Sequence, residues 1–380
     1  MSLAVEAPRN RLYRTLMDMP VDRVADHEFG FWPQTIRRWV AEGAFPRAWA
    51  DEMGDAMFHD RFNEFIGTDG VTEKRGELRL RLGMIPEFDV IVLAEDGKTQ
   101  TIRDRNGIVA KRWKPGSDEA SIPEYLEFPV KCRADWERLK ERYRIDDPQR
   151  GVESERIDEV RRLAAQGWMV CCGTAGFYGQ LRYWVGVENL SYMVHDEPDL
   201  VQDMMDHWAA LILSQLRKLP ADVPIHMFDW WEDMCFNHGP LLSPAMFDRF
   251  MVPRYEAVMA QAARRGCALS HVDCDGNIHA LVDGWMKAGI RVMFPCEVAA
   301  GTDMFALRRR YGKAVKLQGG IDKKAVGAGR SAIDRELARV APLLEQGGYV
   351  PHLDHLVPPD ISFDDYAYYR RQKKKLIGKA

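Results

Sequence analysis

The regular alternation of apolar runs and amphipathic helical patterns after residue 150 is the feature that most restricts how this chain can fold. Short apolar runs predict buried strands, and the longer patterns between them predict crossover helices. The predicted strands cover residues 168–172, 225–229, 268–270, 291–295, 314–319 and 348–352. With a candidate first strand at 23–32, this alternation predicts a closed (β/α)₈ barrel, or TIM barrel. A doubly wound open sheet is the alternative, but no glycine-rich dinucleotide or Walker-type loop follows a strand.

Residues 76–114 have a different pattern from the rest of the chain. Residues 78–82 alternate between leucine and arginine, and the pairs Asp96-Gly97 and Asn106-Gly107 are typical of hairpin turns between strands. We therefore predict an antiparallel β insertion in the N-terminal third of one barrel domain that spans 1–380. The insertion is expected to act as a lid or as a contact surface.

Composition excludes several classes of function. The formal net charge is -4 and the isoelectric point is about 6.2, so a broad basic surface for nucleic acid is not expected. The seven cysteines are odd in number and scattered, which is typical of reduced thiols in a cytoplasmic protein. There is no basic-then-apolar leader and no long uncharged apolar run, so we expect neither secretion nor a membrane span. The basic run at 370–375 is predicted to be a solvated end.

Polar side chains follow the predicted strands at the positions that a barrel brings to one face. His271 and Asp273 come directly after a strand, and if the strand continues to Asp273 both side chains leave the same face. The full set of candidates is Glu28, Trp32, Tyr178, Asp229, Glu232, His271, Asp273, Cys274, Cys296, Glu297, Gln318, Asp322, Asp354 and His355. Such an acidic pocket with two histidines suits a divalent metal or general acid–base chemistry.

The metal hypothesis selects His271, Asp273 and His355 as ligands, with Glu297 or Cys296 in support. Two imidazoles and a carboxylate are a common ligand set for zinc or iron. In the structural alternative, His271 and Asp273 only hydrogen-bond each other and the barrel rim. Likewise, Glu28, Asp229 and Glu232 bind a cation or polar substrate, or they form ion pairs with arginines of the rim. The cysteines serve as ligands or as small buried apolar side chains.

Seven short segments together form a pattern that is specific for one superfamily. They are residues 28–32, 176–179, 193–198, 233–244, 271–277, 319–323 and 347–360. On these motifs the chain resembles the uroporphyrinogen decarboxylase superfamily over most of its length. That superfamily also contains cobalamin-linked methyltransferases, which demethylate small methylated compounds or pass methyl groups to a thiol.

The resemblance implies two alternative sites. Zinc methyltransferases of the superfamily carry His-x-Cys at the strand end and a later cysteine, where this chain has His271, Asp273 and His355. Harder ligands thus replace sulfur, which argues against zinc and thiol chemistry. The decarboxylases carry Gly-His at the position of His355 and an Arg-Gln-Ala-Gly-Arg segment near the N-terminus, which pairs with substrate carboxylates. Here that region is 27–32, and Glu28 would repel such a substrate unless Arg37 and Arg38 compensate.

We therefore predict a metal-dependent methyltransferase of this superfamily that acts on a small methylated substrate. Decarboxylation of a tetrapyrrole or related carboxylate is the alternative, and a non-catalytic protein that binds a cationic ligand is a third hypothesis. The predicted metal ligands are His271, Asp273 and His355, which would hold a divalent cation, with zinc as the first candidate. The predicted catalytic residues are Glu297, Asp354 and His355, and the predicted substrate-binding residues are Glu28, Trp32, Tyr178, Asp229 and Glu232. Any corrinoid would come on a separate partner protein, and the resemblance also makes a homodimer an expectation.

Overall fold

The computed structural model describes residues 6–114 and 123–379. Its strands are β1 (Arg75–Leu78), β2 (Ile91–Glu95), β3 (Thr99–Arg103), β4 (Val109–Trp113), β5 (Glu124–Glu127), β6 (Met169–Ala175), β7 (Met227–Trp231), β8 (Cys235–Phe236), β9 (Gly239–Pro240), β10 (Leu269–Asp273), β11 (Val292–Phe294), β12 (Lys316–Ile321) and β13 (Tyr349–Leu353).

The helices lie between and outside these strands. They are α1 (Arg11–Leu16), α2 (Pro33–Ala41), α3 (Arg47–Met53), α4 (Asp60–Ile66), α5 (Arg133–Lys140), α6 (Ser154–Ala165), α7 (Phe177–Val185), α8 (Val187–Asp196), α9 (Pro198–Lys218), α10 (Pro244–Phe250), α11 (Val252–Ala263), α12 (Val282–Lys287), α13 (Met304–Tyr311), α14 (Lys323–Gly327), α15 (Arg330–Gln346) and α16 (Phe363–Leu376). None of the helices in the described residues is long and apolar enough to cross a membrane.

A parallel sheet in the order β1-β6-β7-β10-β11-β12-β13 forms the centre of the molecule. Each crossover places helices outside the sheet, and the buried apolar faces of those helices match the predicted 3.6-residue periodicity. In α9, for example, Leu200, Val201, Met204, Met205 and Trp208 are all buried. The predicted α/β barrel class is confirmed.

Residues 23–32, predicted as the first strand, differ from the prediction. They are extended and join the barrel through a single bridge between Phe31 and Val357. The reason is that side chains of other segments accept the backbone N–H groups of these residues. Ala25 N donates to Thr15 Oγ1 at 3.2 Å, and Asp26 N donates to Asp69 Oδ2 at 2.9 Å. A regular strand ladder would need those N–H groups.

The β insertion is confirmed as an antiparallel sheet, in the order β2-β3-β4-β5. Its predicted bounds of 76–114 were wrong at the start, because residues 75–78 are β1 and pair with β6 in the barrel. The alternation of leucine and arginine there belongs to barrel packing, since Leu78 and Leu82 are buried in the main core. The insertion sheet begins at Ile91 and extends past the predicted end to Glu127.

The basic end of the chain was predicted to be solvated, and this was wrong for two of its residues. Arg370 and Lys373 lie on the inner face of α16, where they are 5% and 0% exposed. Arg370 donates to both carboxylate oxygens of Asp26 at 2.8 Å and to Glu28 at 2.7 Å. Lys373 also contacts Glu28 at 2.7 Å. We call Asp26, Glu28, Arg370 and Lys373 the buried ion network.

Candidate active site

A cavity of about 640 Å³ lies inside the barrel. Its polar wall comes from three strands of the sheet: Arg75 and Glu77 on β1, Asp229 on β7, His271 and Asp273 on β10. Its apolar wall includes the rings of Phe29, Trp231 and Phe294. A volume of this size suits a small molecule, and aromatic walls with a few converging polar groups are typical of such sites.

His271 and Asp229 form the central polar pair of the cavity. The register of β10 against β7 places them side by side, with 3.5 Å between His271 Nδ1 and Asp229 Oδ1. Burial lowers the pKa of His271 to about 3, and Arg75 adds to that effect. Burial also raises the pKa of Asp229 to about 6, against the opposing influence of Arg75. Neither of the two facing atoms hydrogen-bonds another group in the described part of the chain, so each keeps an unmet hydrogen-bonding capacity.

We expect the His271 ring to stay neutral from pH 7 down to pH 4. Protonating the ring would place a cation in a buried cavity that already holds the Arg75 guanidinium. Nitrogen-15 NMR of histidine-labelled protein measures this directly, with His271→Asn to assign the signal and exposed His195 as an internal reference. Protonation of His271 with an apparent pKa of 6 or above would contradict the structure.

Three carboxylates meet beside this pair. Asp233, Asp273 and Asp275 each offer an oxygen, and the three oxygens lie within 4.8 Å of one another. We call these residues the acidic cluster. Burial raises the pKa of Asp273 well above its usual value, and the charges of Asp233 and Asp275 raise it further. Burial and then Asp275 also raise the pKa of Asp233. Such mutual repulsion is relieved by protonation or by a bound cation.

His355 lies next to the acidic cluster, with 3.2 Å between its Nε2 and Asp275 Oδ2. Its ring stacks on Trp32, with 6.2 Å between the ring centroids. Phe29 contacts His355 at 5.5 Å and Phe294 at 4.5 Å between centroids, and Phe294 in turn lies 4.8 Å from His271. Two phenylalanine rings thus connect the two histidines.

The predicted ligand set is therefore divided between two places. Among the described residues, the group with metal-binding geometry contains Asp273 but neither His271 nor His355. His271 pairs with Asp229, and His355 contacts the cluster through Asp275. The sequence spacing could not show that the loop after β7 folds over β10, where Glu232 N donates to Asp273 O at 2.9 Å and brings Asp233 in.

Glu297 and Asp354, predicted as catalytic, support the loop that carries the acidic cluster. Lys323 Nζ lies 2.9 Å from Glu297 Oε1 and 3.8 Å from Asp354 Oδ1. The other Glu297 oxygen accepts the Gly276 N–H at 3.1 Å. Gly276 has a φ of +87°, and a Cβ there would lie 2.5 Å from the Cys235 backbone. Only glycine therefore fits this turn, and Glu297 fixes its direction.

The predicted substrate-binding residues lie in different surroundings. Asp229 and Glu28 line the cavity, but Glu28 belongs to the buried ion network. Glu232 accepts the N–H groups of Phe177 and Gly179, each at 2.8 Å, so it anchors the start of α7. Its pKa is raised to about 8 by burial. Tyr178 and Trp32 are not among the side chains that line the cavity.

The family model described as Uroporphyrinogen decarboxylase (URO-D) matches residues 117–372, more than half of the chain. The chain belongs to the uroporphyrinogen decarboxylase family. The resemblance predicted from the motifs is thereby confirmed.

Individual relatives share low sequence identity with this chain. A uroporphyrinogen decarboxylase from Rhodococcus erythropolis is 29% identical over 188 residues, which cover 46% of this chain and 48% of the relative. The chain thus matches about half the length of that relative. A methyltransferase structure from Methanosarcina mazei has a TM-score of 0.59 and 14% identity, covering 97% of this chain and 99% of that one. This likeness shows a shared fold. A B12-independent methionine synthase from Shewanella sp. W3-18-1 gives a TM-score of 0.37 at 14% identity, over 58% of this chain and 67% of that one.

The family motifs contain three site residues that the prediction from sequence omitted. Asp233 opens the segment 233–244, Asp275 lies in the segment 271–277, and Lys323 ends the segment 319–323. Arg75 lies outside these motifs and was also omitted. The presence of acidic residues at two strand ends was a usable signal for Asp233 and Asp275, whereas nothing local marks Arg75 as a cavity residue.

Proposed function

We propose that this member of the uroporphyrinogen decarboxylase family is a metal-dependent methyltransferase that acts on a small methylated substrate. The acidic cluster carries the proposal, because three carboxylate oxygens within 4.8 Å of one another are poised for a divalent cation beside a substrate-sized cavity. Asp233, Asp273 and Asp275 would hold the cation. His355, 3.2 Å from Asp275, would orient that carboxylate or complete the ligand set.

The donor set bears on which cation binds. Carboxylates dominate it, and the nearby Cys274 is buried with its thiol facing Met234 N at 3.4 Å. Oxygen-rich sets favour hard cations such as Mn²⁺ or Mg²⁺, while zinc also accepts carboxylate and imidazole ligands. We therefore expect a divalent cation and propose Mn²⁺, Mg²⁺ and Zn²⁺ as the candidates to measure. When bound, such a cation supplies Lewis-acid polarisation of a substrate heteroatom or acceptor thiol.

The protein's own groups would position the reactants. The rings of Phe29, Trp231 and Phe294 form an apolar wall for the methylated end of the substrate. The neutral His271 ring and the Asp229 carboxyl group would exchange a proton with the substrate heteroatom. A corrinoid protein, as methyl donor or acceptor, would bind over the barrel mouth as a separate partner.

Decarboxylation is the second candidate, and one structural observation supports it more strongly than the sequence alone did. Glu28 does not present a free charge to the cavity, because Arg370 and Lys373 each contact its carboxylate at 2.7 Å. Arg75 and Arg79 line the cavity and could bind a substrate carboxylate. In that reaction the bond from carbon to the carboxylate breaks, CO₂ leaves, and the electron pair stays on the substrate carbon. The proton of Asp229 then passes to that carbon.

The two candidates predict opposite responses to metal and to mutation. For methyl transfer, we expect activity toward methylated amines, thiols or ethers with a corrinoid protein, lost in chelator and lost in Asp273→Asn. For decarboxylation, we expect turnover of uroporphyrinogen in chelator, kept in Asp273→Asn and lost in Asp229→Asn. Release of CO₂ and methylation of cob(I)alamin are the measurements. Metal-independent turnover of uroporphyrinogen would overturn the methyltransferase proposal.

A further inference from the structure

A second cavity, of about 610 Å³, lies at the base of the β insertion, between its sheet and α5. None of its lining residues lines the barrel cavity. The charged residues of its wall are Arg103, Lys131, Arg138, Arg142, Glu127 and Asp135, so cations outnumber acids by four to two. We call this cavity the insertion cleft.

The described residues do not balance all the charges of the cleft. Arg138 is paired with Asp135, and Lys131 lies 3.5 Å from Glu127. Arg103 and Arg142 form no ion pair with a carboxylate in the described residues. Among the described residues, the Arg142 side chain donates to two backbone oxygens, to Pro86 O at 2.8 Å and Glu87 O at 3.3 Å. The Nε of Arg103 is buried without a hydrogen-bond partner in the described part of the chain.

The two unbalanced guanidinium groups are held around one aromatic ring. Arg142 Cζ lies 4.0 Å from the centroid of Phe88, and Arg103 Cζ lies 5.9 Å from it. The turn at Gly107 packs so closely on this ring that a Cβ there would lie 2.7 Å from Phe88 Cε2. The turn therefore packs directly against the ring, and the ring places both guanidinium groups at the cleft through cation–π contacts.

The other side of the cleft is apolar. Phe128 and Leu93 line it, and Leu93 is 55% exposed despite its position on β2. An exposed leucine beside arginines that pair with no described carboxylate presents an apolar surface and an anion-binding surface together. This combination recognises an organic anion better than it recognises an inorganic ion.

We propose that the insertion cleft binds a small organic anion. A carboxylate of the ligand is bound by Arg103 and Arg142, and its apolar body lies against Phe128 and Leu93. Arginine suits this role because its planar group donates two parallel hydrogen bonds to a carboxylate. The insertion is then a ligand-binding element as well as a flank of the barrel.

The test uses 4-phenylbutyrate as the probe, with calorimetry on the full chain. We expect Arg103→Gln and Arg142→Gln each to weaken binding at least tenfold. Arg105→Gln changes the same turn but not the cleft wall, because Arg105 is exposed, and it should bind within twofold of the wild type. The neutral 4-phenylbutanamide and inorganic phosphate should each bind at least tenfold more weakly than the probe.

Four outcomes would overturn the proposal. The first three are equal affinity in Arg103→Gln and wild type, equal affinity for the acid and the amide, and loss of binding in His271→Asn, which would place the probe in the barrel cavity. The fourth is no binding of the probe at about 10 mM, since a Kd of about 1 mM already corresponds to a binding free energy of only about -4 kcal/mol. Arg103→Gln is the decisive variant, because the Nε of Arg103 has no hydrogen-bond partner among the described residues, so the substitution removes none there.

Discussion

Asp273→Asn is expected to weaken the binding of a divalent cation by at least a hundredfold and to leave the metal-free fold equally stable or more stable. Without a cation, the Asp273 carboxyl has a pKa raised well above its usual value by burial and by Asp233 and Asp275. The asparagine amide has the same shape as the protonated acid and adds no charge to the cluster. The cation-bound form loses one of three carboxylates, and a cation site loses most of its affinity with a charged ligand.

Calorimetry with Mn²⁺, Mg²⁺ and Zn²⁺ gives the affinity, and thermal unfolding gives the linked stability. At a free cation concentration a hundred times the Kd, wild type should gain about 2.7 kcal/mol in unfolding free energy, and the variant should gain almost none. The matched control is Asp283→Asn, because that carboxylate is exposed and bonds Tyr311 on the outside of the barrel. Unchanged affinity in Asp273→Asn, or loss of binding in His271→Asn alone, would contradict the assignment.

The same site gives the affinity a definite dependence on pH. The pKa values of Asp273 and Asp233 are raised, mainly by burial, so a cation must displace protons that these groups hold above their usual range. Affinity should therefore increase as pH rises from 5 to 8. In the metal-free protein the linkage has the opposite sign. A raised carboxyl pKa adds stability at low pH, and that stability is lost as pH rises through the folded-state pKa.

The barrel could be predicted from sequence because local pattern determines it. The predicted runs at 168–172 and 225–229 overlap β6 and β7, since a buried parallel strand needs an apolar run in any context. Asp273 could be predicted for the same reason, as it ends a strand. Asp233 could not be joined to it, because their contact depends on how the loop after β7 packs across β10. The way in which a loop packs in the folded protein produces no periodic pattern in the sequence.

The C-terminal helix shows a different limit. Its basic residues suggested a solvated end, but the spacing of Tyr366, Tyr369, Arg370, Lys373 and Ile377 marks one face of a helix, and all five are buried. Arginine and lysine on such a face look like surface residues until their partners are known. The partners are Asp26 and Glu28, more than three hundred residues earlier in the chain.

Arg370→Met is expected to lower the unfolding free energy by about 3–5 kcal/mol, the cost of removing one partner from a buried ion pair. Asp26 would lose two hydrogen bonds of 2.8 Å and Glu28 one of 2.7 Å, while both carboxylates stay buried. Lys373 remains to offset part of the two negative charges. Urea unfolding at pH 7 measures the loss.

The neighbouring Arg371→Met is the control, because Arg371 is exposed and should change stability by less than about 0.5 kcal/mol. Burial alone would raise the pKa of Glu28, but the charges of Lys373 and Arg370 outweigh burial and lower it. The network therefore stabilises the fold at pH values above the usual carboxyl pKa, and this stabilisation is lost as the pH falls through the lowered pKa. The difference between wild type and Arg370→Met should accordingly shrink in acid. Equal losses in the two variants would mean that the ion pairs of Arg370 add no net stability, because Lys373 alone compensates the carboxylates of Asp26 and Glu28. The apolar packing of α16 would then account for its contribution to the stability of the fold.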